Sequence, residues 1–190
     1  MKKILYIPAI IIVICFLGCM QNNREKTSPE IILFLSDFVA KNPNLGQNDV
    51  VNKQIADSFK ILLSENLNMN KELLNSIPLQ LSEVREYADG KYSVNLKHYY
   101  TDIYEKDGIK FDLNFNVIGL IDAALVNNIR NNSKYYIRGN FIDFIISSDA
   151  RKYIYGMIYS PSINIEKKYK MYKVTLGIML FEIEEMNLVN

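Results

Sequence analysis

The stretch KDGIKFDLNFNV, residues 106–117, decides how the fold is read. Ile109, Phe111, Leu113, Phe115 and Val117 alternate with Lys110, Asp112, Asn114 and Asn116. A two-residue period of this regularity belongs to a strand with one buried and one polar face. Slipping its pairing by one residue would turn five large apolar groups to solvent, so the register is strongly specified. Asp107-Gly108 ahead of the strand is a hairpin signal, because tight turns between twisted strands need residues that tolerate positive φ. Upstream, Tyr92, Val94, Leu96, His98 and Tyr100 alternate against Ser93, Asn95, Lys97 and Tyr99, which predicts a partner strand. Ala88-Asp89-Gly90 turns that strand back to an earlier one carrying Leu79, Leu81 and Val84.

Downstream, Asp122 is placed to cap a short helix over Ala123–Arg130, with Leu125, Val126 and Ile129 on one face. Lys134–Ile146, Tyr153–Tyr159 and Met171–Glu184 then read as extended, with a bulge expected at Gly177 where the alternation breaks. Before Pro78 the period is helical. Ser28-Pro29-Glu30 is a helix start, with Ser28 as cap and Pro29 in the first turn. Ile31, Leu35, Phe38 and Val39 follow at helical spacing up to Asn42-Pro43. A second helix starts near Asn48 or Asp49 and carries Val51, Ile55, Phe59, Leu62 and Leu63. The expected architecture is α+β: an N-terminal helical hairpin in residues 28–77, then an antiparallel sheet or small barrel of about six strands in residues 78–190, with one short inserted helix. KYYIRGNFIDFI, residues 134–145, resembles strands of oligonucleotide/oligosaccharide-binding (OB) barrels in its central Gly139, where a barrel curls sharply. The single helix after the third strand resembles that fold's element order. The likeness lies in pattern and carries no diagnostic motif.

The first residues have another character. Lys2 and Lys3 precede an apolar run, Ile4–Leu17, of 14 residues. That is shorter than the roughly 20 residues that span a bilayer core, and it fits a cleaved export signal over residues 1–18. Phe16-Leu17-Gly18-Cys19 resembles the lipobox of bacterial lipoproteins, with Phe16 in place of the commoner Leu. The resemblance implies a diacylglyceryl thioether on Cys19, with residues 19–27 as a polar tether. Met20 lacks the acidic character that favours inner-membrane retention in enterobacterial lipoproteins. The resemblance therefore implies the cell envelope, at the outer membrane facing the periplasm if the host is Gram-negative.

Both cysteines of the chain, Cys15 and Cys19, lie in this opening stretch, so a lipidated mature chain has no thiol for catalysis or metal binding. Removing residues 1–18 leaves 20 basic against 21 acidic residues, a balance that disfavours nucleic acid as a partner. There is one histidine, His98, on the apolar face of its strand, where a packed, hydrogen-bonded role is favoured over a catalytic one. No nucleophile elbow, phosphate loop or HExxH motif occurs. The remaining cluster is aromatic and basic: Tyr153, Tyr155 and Tyr159, then Tyr169 and Tyr172 among Lys167, Lys168, Lys170 and Lys173. These five tyrosines are the candidate ligand-binding residues, with carbohydrate or another envelope protein as the partner. The expectation is a lipid-anchored, non-catalytic binding or assembly module with no cofactor and no metal. The alternatives are a carbohydrate or small-ligand binder using the tyrosines, and an envelope enzyme using His98.

Overall fold

The computed structural model describes residues 28–155, 162–169 and 171–189. Two helices come first, α1 (Glu30–Lys41) and α2 (Asp49–Met69). The α1 start differs from expectation: Pro29 stands at the N-cap and no side chain caps the helix, Ser28 included. The Pro29 carbonyl instead accepts from the amides of Ile32 and Leu33, at 2.8 and 3.2 Å. The helix stops where Asn42, held out of the helical region by Pro43, donates its side-chain amide to Phe38 O at 2.8 Å. At α2, Asn48 is a working cap, its side chain accepting from Val51 N at 2.9 Å. The helices meet through Phe34, Phe38 and Phe59, with Phe38 and Phe59 4.9 Å apart between ring centroids.

Among the described residues six strands follow: β1 (Leu79–Ala88), β2 (Lys91–Lys106), β3 (Ile109–Asp122), β4 (Lys134–Ile145), β5 (Asn164–Lys168) and β6 (Met171–Leu188). The β2–β3 turn holds Asp107 at φ 52° and Gly108 at φ 77°, the paired left-handed residues of a two-residue hairpin. β1 pairs with β2, β2 with β3, β6 with β4 and β5 with β6, all antiparallel. One pairing departs from the antiparallel expectation: β3 and β6 run parallel, from Lys110 opposite Met171 to Leu120 opposite Glu182. β4 reaches β1 through Leu79–Tyr135 and Gln80–Lys134, so the hydrogen-bonded circuit β1-β2-β3-β6-β4 returns to its start. The irregularity beside Gly177, at φ 76°, is the expected bulge.

The alternation puts Val94, Leu96, Phe111, Leu113, Phe115 and Val117 inside, with Val174, Met179 and Phe181 of β6. Ile31, Ile32, Leu35, Phe59, Leu63 and Leu67 of the helices belong to the same continuous core, so helices and strands are stabilised together. The expected helix after β3 is a single turn, α3 (Ala123–Val126), not the full Ala123–Arg130. Asn127 and Asn128 end it, a residue type whose side chain competes with helical backbone bonds. The chain is then pinned by Tyr135, whose hydroxyl accepts from Arg130 N at 2.6 Å and donates to Arg130 O at 3.2 Å.

Of the expected strand Tyr153–Tyr159, residues 153–155 are not extended, and residues 156–159 lie outside the described residues. Residues 147–155 form a turn of helix, α4 (Ser147–Ala150), and an irregular segment. Ala150 and Ile154 pack on Ile118, Ile178 and Leu180 as a second, small apolar cluster on the outside of β3 and β6. Among the described residues the strand between β4 and β6 is β5, a short edge hairpin partner of β6.

Candidate functional site

The tyrosine cluster does not converge on one place. Tyr153 and Tyr155 lie beside β1 and the start of β2. Ser93 Oγ donates to Tyr153 O, and Tyr87 meets the Tyr153 ring edge-on at 5.2 Å. Tyr155 N–H donates to Glu83 Oε1 at 2.6 Å, and the Arg85 guanidinium lies 3.9 Å from the Tyr155 ring centroid. Tyr172 is an interior residue stacked on Phe111, which pairs with Tyr104 near the other end of β2. Tyr169 is fully exposed at the β5–β6 turn, at φ 57°. Ser93 and Tyr104 are separated by most of β2, roughly 35 Å at strand rise. The arrangement therefore gives two separate aromatic groups. Tyr159 and Cys19 lie outside the described residues.

The lysine run is equally dispersed. Lys167 reaches over Tyr172 at 5.9 Å and Lys168 pairs with Glu166 at 3.6 Å, which reads as a solvated edge strand.

The site-like concavity lies elsewhere, at the far end of β2. A groove of ≈ 730 Å³ is bounded by Ser28, Pro29 and Ile32 of the α1 start, Asn75, Ser76 and Pro78 of the connecting turn, and Tyr136 of β4, with residues 102–105 of β2 on the remaining side. Sequence reasoning missed it because four distant segments each give only a few residues. No local pattern marks it; in the structure it lies at the pairing break after Tyr99, where three residues of β2 stand opposite one of β3. A bulge of this kind bends a strand and re-aims its side chains.

Three features define the groove chemically. Asp102 and Glu105 supply carboxylates, Glu105 lying 3.9 Å from Lys110, and no lining residue is cationic. Tyr104 has a buried hydroxyl with no hydrogen-bond partner. Its own burial, reinforced by the nearby Asp102 and Tyr136, raises that phenol far above the ordinary tyrosine value, so it stays a neutral donor.

His98 sits behind this wall, essentially inaccessible. Its ring stacks on Phe115 at 5.4 Å and lies 5.9 Å from the Tyr104 ring. Nδ1 is 3.0 Å from Pro78 O; a carbonyl only accepts, so Nδ1 carries the proton and Nε2 is left a buried lone pair without a partner. Burial lowers the His98 pKa below the usual 6.5, against opposing contributions from the Pro78 bond and Asp102. A neutral imidazole wedged between core rings positions Pro78 and Tyr104. It does not itself line the groove.

A second groove, of ≈ 340 Å³, runs between α1 and α2, with Leu33, Phe34, Phe38, Leu62 and Leu73 as its apolar floor. Among the described residues no group of His, Cys, Asp and Glu is arranged to hold a metal, and no helix is long and apolar enough to cross a membrane. Compared with known proteins, the chain matches no protein family, no curated protein and no solved structure.

Proposed function

We propose that the protein is a lipid-anchored bacterial envelope lipoprotein whose exported domain is a non-catalytic binding or assembly module on an OB-like barrel. The observation that carries the location is Phe16-Leu17-Gly18-Cys19 at the end of a short apolar run behind two lysines. The OB-like reading draws on the strand circuit β1-β2-β3-β6-β4, its parallel β3–β6 pair, and the position of α3 between β3 and β4. Anchoring by a diacylglyceryl group follows from roughly 0.8 kcal/mol per buried methylene, enough with two or more chains to make release slow. The test is the intact mass of the N-terminal peptide from membrane-purified protein. A peptide beginning at Cys19 with diacylglyceryl mass is expected; one beginning at Met1, or cleaved without lipid, would refute the reading. Cys19→Ser should move the chain out of the membrane fraction.

A second reading, a small-ligand or carbohydrate binder, is favoured by the groove at the end of β2 more than by the tyrosine set. Two carboxylates accept hydrogen bonds, a neutral buried phenol offers one, and Tyr136 adds an aromatic wall. That combination suits a polar ligand rich in hydroxyl or ammonium donors. Screening neutral and amino-sugar oligosaccharides against wild type and Asp102→Asn checks it: binding lost in the variant is expected, and binding unaffected by it places the ligand elsewhere.

A further inference from the structure

We propose that the end of the protein at which Ser28 enters the fold is a membrane-contacting surface. The apolar groove between α1 and α2, together with Ile103 across the entry point, lies against the bilayer interface. The inference rests on the reading of Cys19 as the lipidated residue and adds to it a defined face and orientation.

Eight residues, spanned by nine Cα–Cα steps, separate Cys19 from Ser28. Fully extended, these steps reach at most about 30 Å. The described domain, with a radius of gyration of about 15 Å, is roughly 40 Å across. A tether shorter than the body it holds keeps the attachment end of that body towards the lipid.

Several apolar side chains near the attachment point are exposed, set among carboxylates and amides. Leu33 lies four residues past Pro29, about 6 Å along the helix, and is 40% exposed. Leu62 faces it across the groove and is 41% exposed. Met69, seven residues further along α2, extends the same stripe and is 76% exposed. On the other side of the entry point, Ile103 is 63% exposed beside Ser28 and Pro29. The groove between the helices carries Glu30, Asp37 and Lys41 at its rim, and Asp102 and Glu105 flank Ile103, so the face holds no excess of positive charge and a surplus of carboxylates. Contact is therefore driven by apolar burial and should not require anionic lipid. A short tether also raises the effective concentration of lipid at this face into the millimolar range, so shallow insertion of a few side chains suffices.

The lipidated chain has no thiol after Cys19, which makes single-cysteine labelling clean. Leu62→Cys, Ile103→Cys and, as the control, Asp89→Cys at the distant β1–β2 turn would carry an environment-sensitive fluorophore. The full lipidated chains would be reconstituted in phosphatidylcholine vesicles with nitroxide-labelled acyl chains, with and without phosphatidylglycerol. Insertion of about 5–10 Å predicts quenching at 62 and 103 about twofold or more above that at 89, and no greater in anionic than in neutral vesicles. Equal quenching at all three positions overturns the proposal. A blue shift at 62 that persists in the non-lipidated Cys19→Ser chain in buffer free of lipid and detergent overturns it too, since a second copy or a protein partner then covers the groove. The N-terminal mass from the same sample separates the two failures. With lipid on Cys19, a failed quenching result removes only this surface; without lipid, both readings fall.

Discussion

Gly139→Ala should be among the most damaging single-methyl additions available to this chain. A Cβ at 139 would meet the Glu182 carbonyl oxygen well inside contact distance, with Ile183 Cα at 2.8 Å and Glu182 C at 3.0 Å. All three are backbone atoms of β6, which Gly139 pairs at Ile183 beside a register irregularity. No rotamer change relieves the overlap, so the β4 and β6 backbones must separate. Overpacking strain costs about 1–3 kcal/mol, and loosening one ladder hydrogen bond adds about 1 kcal/mol, for roughly 3 kcal/mol in all. Gly119→Ala gives the internal contrast. Its Cβ would meet Ile183 Cδ1, with Ile183 Cγ1 and Val94 Cγ2 each at 2.9 Å, all side-chain atoms. In an Ile183→Val background, which removes Cδ1, the cost of Gly119→Ala should drop by about 1 kcal/mol while that of Gly139→Ala stays the same. Urea unfolding of wild type, the three single variants and the two double variants reads this directly: at about 2 kcal/mol/M, Gly139→Ala lowers the midpoint by about 1.5 M. A Gly139→Ala midpoint within about 0.3 M of wild type, or its rescue by Ile183→Val, would refute the close approach of β4 and β6.

Other expectations follow from the same geometry. Because burial lowers the His98 pKa in the fold, the unfolded chain takes up that proton first. The stability this group contributes is complete above its unfolded value near 6.5 and is lost as pH falls below it, by up to about 1.4 kcal/mol per pH unit. Asp112, raised mainly by burial, has the opposite sign in a more acidic range above its usual 3.8, so the comparison of His98 with His98→Gln is best made in an Asp112→Asn background. An unchanged pH slope between about 6.5 and 5 in His98→Gln would show that the imidazole does not titrate with folding. Tyr104→Phe should alter stability by less than about 1 kcal/mol, since it removes a buried hydroxyl that has no partner; a larger loss in thermal unfolding would mean the hydroxyl is bonded in solution. Ile154→Ala should cost about 2–4 kcal/mol by emptying the small outer cluster, while Tyr155→Ala, losing an exposed stack on Arg85, should cost under about 1 kcal/mol. Similar denaturant midpoints for those two would contradict the packing of residues 147–155 on β3 and β6.

The β2–β3 hairpin was readable because each residue's neighbours decide it. Asp107-Gly108 supplies the left-handed turn, and the alternation from Ile109 to Val117 says which side is buried. The helices were readable for a similar reason, with the exception of the cap, where Pro29 displaced Ser28. Residues 153–155 were misread because apolar and aromatic residues at short spacing look alike in an edge strand and in a segment packed on the outside of a sheet. Ile154 is buried by Ile118 and Ile178, and nothing local to it announces those partners. The sequence likewise gave no sign that Asn164–Lys168, mostly polar, would pair as a strand; its ladder bonds to β6 stabilise it without a buried face beyond Ile165.

The groove at the end of β2 was hidden for a deeper reason. Alternation tells inside from outside along a strand but does not tell which strands become neighbours. The β3–β6 pair joins Lys110 to Met171 across a connection containing β4 and β5, and parallel pairing always needs such a crossover. Only once that pair and the Leu79–Tyr135 contact close the circuit do Asp102, Tyr104, Tyr136 and Pro29 come to border one space. Each is unremarkable on its own strand or turn. The same closure holds His98 beneath Tyr104 through the Pro78 carbonyl, so the chain's single histidine serves the wall of the groove from behind. Residues that face the groove can then vary in chemistry without disturbing the core, whereas changes at His98 or Phe115 must deform both. If the groove is the oligosaccharide site proposed above, substitutions at Asp102 or Glu105 should move oligosaccharide binding and leave the urea midpoint in place, while changes at His98 should move the two together.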